Sequence, residues 1–114
     1  MVKLSKERII KALKGFGFSN IDTQVYVFLA TEGHHKVREI TLALNLLESK
    51  VYESLKELQS IEIVKASIGH PLEFIAIPFE EMIDLLIDVK KEQAKTMQEN
   101  KKEILSSWKA LIKN

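Results

Sequence analysis

The sequence predicts a mainly α fold with a small β-hairpin wing: a winged helix-turn-helix followed by a long C-terminal dimerisation helix. Three observations predict it. Between Val37 and Ala76 a short helical segment, a tight break, a longer amphipathic helix and two strand-like runs follow with almost no slack. Helix, turn, helix, hairpin is the element order of that fold. Two helical stretches precede this block, and 36 residues free of Gly and Pro, from Phe79 to Asn114, come after it.

Each element has a local reason. Ser5 to Lys14 is predicted helical, with Ile9, Ile10 and Leu13 at helical spacing. Gly15-Phe16-Gly17-Phe18 ends it, because glycine tolerates the left-handed turn after a helix. Ser19 is a good N-cap, and Asp22 three residues on makes a short-armed capping box. The second helix runs to Glu32 with Ile21, Val25, Phe28 and Leu29 on its inner side, and Gly33 closes it. His34-His35-Lys36 is a candidate third, minor strand.

The third helix, Val37 to Leu44, breaks at Asn45-Leu46, where Asn45 is among the few non-glycine residues tolerant of positive φ. Glu48 to Ser60 follows as a longer helix with Val51, Leu55 and Leu58 on one face. Ile63-Val64-Lys65-Ala66 and Glu73-Phe74-Ile75-Ala76 read as strands around the turn residues Ser67-Ile68-Gly69-His70-Pro71. Pro78 stops the second strand and presets the last helix, whose start carries Glu80, Glu81 and Asp84 where negative charge is favourable.

The organisation expected is residues 1–78 as the winged helix-turn-helix and 79–114 as a coiled-coil helix. A continuous helix of that length extends on the order of 50 Å, more than a small domain buries. Ile83, Ile87, Lys90, Ala94, Met97, Lys101, Ile104, Trp108 and Leu111 fall on one heptad seam, interrupted by two lysines. The dimer interface is therefore placed on Ile83, Ile87, Ala94, Met97, Ile104, Trp108 and Leu111, with a second copy of the chain as partner. The alternatives are a helix folding back on its own domain, or a break near Asn100.

Composition narrows the functions. Hydrophobic residues make up 46% and charged residues 29%, an ordinary globular balance. There is no cysteine, which removes disulfides and thiolate chemistry and limits metal sites. No uncharged apolar run approaches membrane-spanning length and no signal-peptide core opens the chain, so a cytoplasmic location and no membrane partner are expected. Net charge is +1, but residues 1–15 carry five basic side chains against Glu7 alone, while residues 16–78 carry five basic and eight acidic. A DNA binder collects Lys and Arg on one face to displace counterions; here only the first helix does so plainly.

A resemblance enters on the residues now quoted. Leu13 to Ser19, Val25-Tyr26-Val27-Phe28-Leu29 ahead of Gly33, Val37 to Ile40, Ser49 to Leu58, Ile63-Val64 and Ile77 to Glu81 resemble the N-terminal winged-helix domain of archaeal TrmB-like transcription regulators. The chain departs from that pattern at Asn45 (usually Gly), Leu47 (usually Pro) and Glu62 (usually Gly), and Glu48 stands where basic residues are common. The sugar-binding region of longer members is not found in the chain, so the resemblance carries no expectation of sugar sensing.

The expected function is a homodimeric transcription regulator that reads the major groove of double-stranded DNA with the helix 48–60. Its outer face offers Ser49, Glu53, Lys56 and Ser60, flanked by Lys50 and Tyr52 and led by Glu48, with lysine suited to phosphate or a guanine edge and glutamate to cytosine N4. Lys36 and Arg38 are candidate phosphate anchors, and Lys65, Ser67 and His70 candidate backbone contacts of the wing. The alternatives are a winged-helix protein-protein interaction adaptor and a non-specific chromatin-type DNA-binding protein. His34, His35 and His70 match no zinc spacing, and adjacent histidines on an extended segment point apart; they are read as solvent-exposed. No metal, cofactor or catalytic residue is expected, since no phosphate loop or nucleophile elbow is present. Trp108 is read as a large apolar anchor rather than a ligand-stacking ring, and Met82 and Met97 as packing residues. Any small-molecule effector is left unassigned.

Overall fold

The computed structural model describes residues 2–69 and 71–113, with side chains from Leu4 onward. His70, one of the wing residues singled out above, lies outside the described residues. Seven elements run in the order α1 (Val2–Gly15), α2 (Asn20–Glu32), α3 (Val37–Leu44), α4 (Glu48–Ser60), β1 (Val64–Ala66), β2 (Phe74–Ala76) and α5 (Phe79–Lys113). They fall into two compact units, one ending at Met82 and the other beginning at Ile83.

In the first unit, α1 begins three residues before the predicted Ser5 and ends in a Schellman turn. Gly17 sits at φ 104°, its N–H donates to the Lys14 carbonyl at 3.0 Å, and that of Phe18 to the Leu13 carbonyl at 3.1 Å. Ser19 then caps α2, its Oγ accepting from the Asp22 N–H at 3.0 Å. The reciprocal half of the predicted capping box is not made. The Asp22 carboxylate instead accepts from Ser54 Oγ of α4 at 2.6 Å, a stronger, charge-assisted bond to a buried hydroxyl.

Helix α2 is the centre of this unit. Thr23, Val25, Tyr26, Val27 and Leu29 are buried, whereas Ile21 and Phe28 are only half-buried. The predicted single inner face is therefore too narrow: neighbours cover α2 on several sides, which removes the one-sided stripe that periodicity detects. Tyr26 is fully buried, donates its hydroxyl to the Ile77 carbonyl at 2.8 Å, and has its pKa pushed up to about 12 by burial.

Two antiparallel strands form the hairpin in the register Val64↔Ala76, Lys65↔Ile75 and Ala66↔Phe74. Each is a residue shorter than predicted. The third strand reduces to one bridge, in which His35 and Phe74 exchange backbone hydrogen bonds at 3.1 and 2.8 Å. His34 is exposed as predicted, but His35 is not fully so. Its ring packs against Phe28 at 4.8 Å between centroids, with Nδ1 2.9 Å from the Gly33 carbonyl oxygen.

Beyond Met82, α5 continues unbroken to Lys113, so the alternative of a break near Asn100 does not hold. Met82 and Leu86 are buried; every described residue from Ile87 onward is exposed, Met97 among them at 69%.

Candidate nucleic-acid interface

The helix-turn-helix is built around one left-handed residue. Asn45 takes φ 53° and ψ 49°, and the Leu46 N–H closes back on the Thr41 carbonyl at 3.2 Å. Asparagine tolerates that conformation better than most side chains, so α3 stops there and the chain turns into α4. At the other end of α3, the Lys36 N–H donates to Glu39 Oε1 at 2.8 Å, satisfying one of the free donors of a helix start. That bond fixes the backbone from which Lys36 and Arg38, both exposed, project.

Helix α4 is clamped on one side and free on the other. Val51, Leu55 and Leu58 are buried to 1% exposure or less. Buried Ser54 ties the same face to α2 through Asp22. The C-terminal end closes in a second Schellman turn, with Glu62 N–H on the Gln59 carbonyl at 3.0 Å and Ile63 N–H on that of Leu58 at 3.1 Å. Glu62 holds the left-handed position at φ 65°, one of the positions at which the resemblance implies glycine. At the leading end, N-cap Leu47 makes no side-chain hydrogen bond, and Glu48 in the first turn meets the positive end of the helix dipole.

The outer face carries Ser49, Lys50, Tyr52, Glu53 and Lys56, all exposed. Lys50 Nζ lies 3.6 Å from Glu53 Oε2, an i,i+3 pair with both side chains more than half in solvent. Such a pair is weak and opens at little cost. Lys56 Nζ sits 4.9 Å from the Tyr52 ring centroid, a cation–π contact that orders both side chains. Glu48 stands ahead of this group. The outer face therefore presents two cations, one aromatic ring and two carboxylates.

In the wing, Val64 points inward and Lys65 outward. The Ser67 hydroxyl works inside the hairpin: it accepts from the Glu73 N–H at 2.9 Å and donates to the Pro71 carbonyl at 3.3 Å. The Ile77 N–H bonds the Ile63 carbonyl at 3.0 Å, so the Tyr26 hydroxyl on Ile77 pins the base of the wing to α2. Leu42 and Leu47, 73% and 70% exposed, were not anticipated as surface; Ile68, in the predicted wing turn, is fully exposed. Their residue type signals core, and only the fold shows them outside. Among the described residues no group of three or more His, Asp or Glu could hold a metal ion.

Residues 13–80 match the family described as the sugar-specific transcriptional regulator TrmB. The chain belongs to the TrmB family. Comparison with curated proteins gives no match. Among solved structures, the TrmB-family fold is shared with TrmBL2, an archaeal chromatin protein, at a TM-score of 0.78 and 19% identity over 95% of this chain. This chain spans 42% of TrmBL2. A possible transcriptional regulator from Methanosarcina mazei is similar at TM-score 0.64 and 18% identity, covering 85% of this chain and 86% of that one. The transcriptional regulator Tm0710 of Thermotoga maritima is similar at TM-score 0.58 and 19% identity, covering 96% and 85%. The chain is thus a winged-helix member of a transcription-regulator family, and none of its helices among the described residues is long and apolar enough to cross a membrane.

Proposed function

We propose that the protein is a homodimeric DNA-binding transcription regulator that inserts α4 into the major groove of double-stranded DNA. The observation that carries this reading is the division of α4. Its inner face is fixed by Val51, Leu55, Leu58 and the Ser54–Asp22 bond, while Ser49, Lys50, Tyr52, Glu53 and Lys56 face solvent. Lys50 exchanges Glu53 for a phosphate or a guanine edge. Lys56, held over Tyr52, takes a phosphate, and Ser49 and Glu53 accept or donate at base edges. Glu48 discriminates against phosphate at the leading end, and exposed Leu47 supplies an apolar contact of the kind that reads a thymine methyl. Lys36 and Arg38 anchor flanking phosphates. Lys65 and the loop that Ser67 braces lie against the backbone; His70 remains a candidate from the sequence alone.

Residues 79–114 form the dimerisation device, through Ile83, Ile87, Ala94, Met97, Ile104, Trp108 and Leu111. Two recognition helices about one duplex turn apart, or a multiple, then select a roughly palindromic site. The test is electrophoretic retardation of genomic fragments at moderate salt beside a scrambled duplex of equal length. Retardation that depends on sequence supports the regulator. Equal retardation of the scrambled duplex supports the second reading, a chromatin-type protein, which the similarity to TrmBL2 favours. No retardation of either excludes both and leaves the protein-protein adaptor.

A further inference from the structure

The exposed stretch of α5 specifies more than a partner. We propose that two copies pair antiparallel through α5, in the register that sets Ile87, Lys90, Ala94 and Met97 against the partner's Leu111, the partner's Trp108, the partner's Ile104 and the partner's Lys101. The inference rests on the homodimer proposed above and adds direction and register to it.

The face itself is unpartnered. Met97, Ile104, Trp108 and Leu111 are 69%, 55%, 55% and 67% exposed on a single unbroken helix, and Leu105 and Ile112 widen the same stripe. Apolar surface in that periodicity calls for another helix. A second copy of α5 is the occupant that its charges favour. From Glu80 to Asp88 the helix carries four acidic side chains and no basic one; from Lys101 to Lys113 it carries four lysines against Glu103 alone. In the register proposed, antiparallel pairing brings Asp84 and Asp88 of each helix alongside the partner's Lys113 and the partner's Lys109. Parallel pairing lays like charge on like.

The two lysines of the seam decide the register. In a parallel pair, each seam residue meets its own equivalent, so Lys90 faces Lys90 and Lys101 faces Lys101 in two desolvated layers. The antiparallel register shifted one heptad in one direction sets Lys90 against Lys101, again like on like. Of the nine seam residues, the shift in the other direction gives six an opposite seam residue and leaves Ile83, Ile87 and Lys90 without one, whereas the register proposed leaves only Ile83 so. The register proposed keeps the lysines apart. It lays Lys90 over an indole, where a cation gains from the ring quadrupole, and seats small Ala94 opposite branched Ile104. Lys101 lays its aliphatic stem along Met97 with its ammonium in solvent. In this pairing the two Met82 residues lie about 50 Å apart along the helix axis, by the rise of an α-helix.

The absence of native cysteine makes the test direct. Ala94→Cys and Ile104→Cys are made separately in the full-length chain, one with a mass tag, and treated with a short bis-maleimide, alone and after mixing and subunit exchange. Antiparallel pairing predicts linked dimers in the mixture, all of mixed mass, and little linkage of either variant alone. Linkage of each variant to itself overturns the proposal in favour of parallel helices. A dimer by sedimentation that links in neither arrangement overturns the register. An unmodified chain that sediments as a monomer overturns the homodimer, and this inference with it.

Discussion

At φ 65° the Cβ of Glu62 crowds its own carbonyl, a conformation that costs an L-residue about 1 kcal/mol or more. The two hydrogen bonds of the Schellman turn, together with buried Ile63 and Leu58, hold it there. Glu62→Gly removes the crowding without touching those bonds, and is expected to stabilise the chain by about 1 kcal/mol, raising Tm by roughly 5 °C. Calorimetry checks this. Tyr26 gives the opposite case. Its pKa is pushed up to about 12 in the fold from an ordinary value of 10, so the neutral phenol is the form the core accepts. The stability tied to that shift is complete below pH 10 and is lost as pH rises from 10 towards 12. Tyr26→Phe removes this alkaline loss but leaves the Ile77 carbonyl without its donor, at a cost of about 1–2 kcal/mol at neutral pH. Urea titrations of both proteins at pH 7 and pH 11 separate the two effects.

Elements show what could be read without coordinates. The end of α3 was legible because positive φ selects a short list of residues and Asn45 is on it; the left-handed position after α4 was not, because Glu62 is not a residue that signals it. The bounds of α4 and α5 follow from apolar spacing and from Pro78. Tertiary partners were not legible. Nothing local in Asp22 distinguishes a capping carboxylate from one reaching α4 across 32 residues of chain to Ser54. Val25-Tyr26-Val27 buries three residues in a row because α2 is surrounded, and no single-face period records that. Ser49, Lys50, Tyr52, Glu53 and Lys56 were placed on the exposed side of α4 from apolar spacing alone, but Glu57, exposed as well, was not, nor were the pairing of Lys56 with Tyr52 and the bracing role of Ser67. At this scale the Ser54–Asp22 bond predicts that Asp22→Ala, which strands a buried hydroxyl, destabilises by about 1–3 kcal/mol. Asp22→Asn, which keeps an acceptor, loses less; chemical denaturation compares them.

For the whole molecule, the proposed homodimer makes DNA affinity depend on two winged units acting together. Ile104→Glu with Leu111→Glu puts charge on the exposed seam of α5 and is expected to give a folded monomer by sedimentation. Its DNA affinity should fall by about 10²-fold or more, since the second half-site is no longer held at high effective concentration. The central claim, that two copies of the outer face of α4 meet DNA, is tested most directly by salt. Binding of the unmodified chain, Lys50→Ala and Lys56→Ala to one duplex is followed by fluorescence anisotropy across a salt series. If each lysine meets a phosphate in both copies, each substitution lowers the slope of log K against log salt by about two. Slopes and affinities unchanged in both variants would contradict the placement of α4 in the groove.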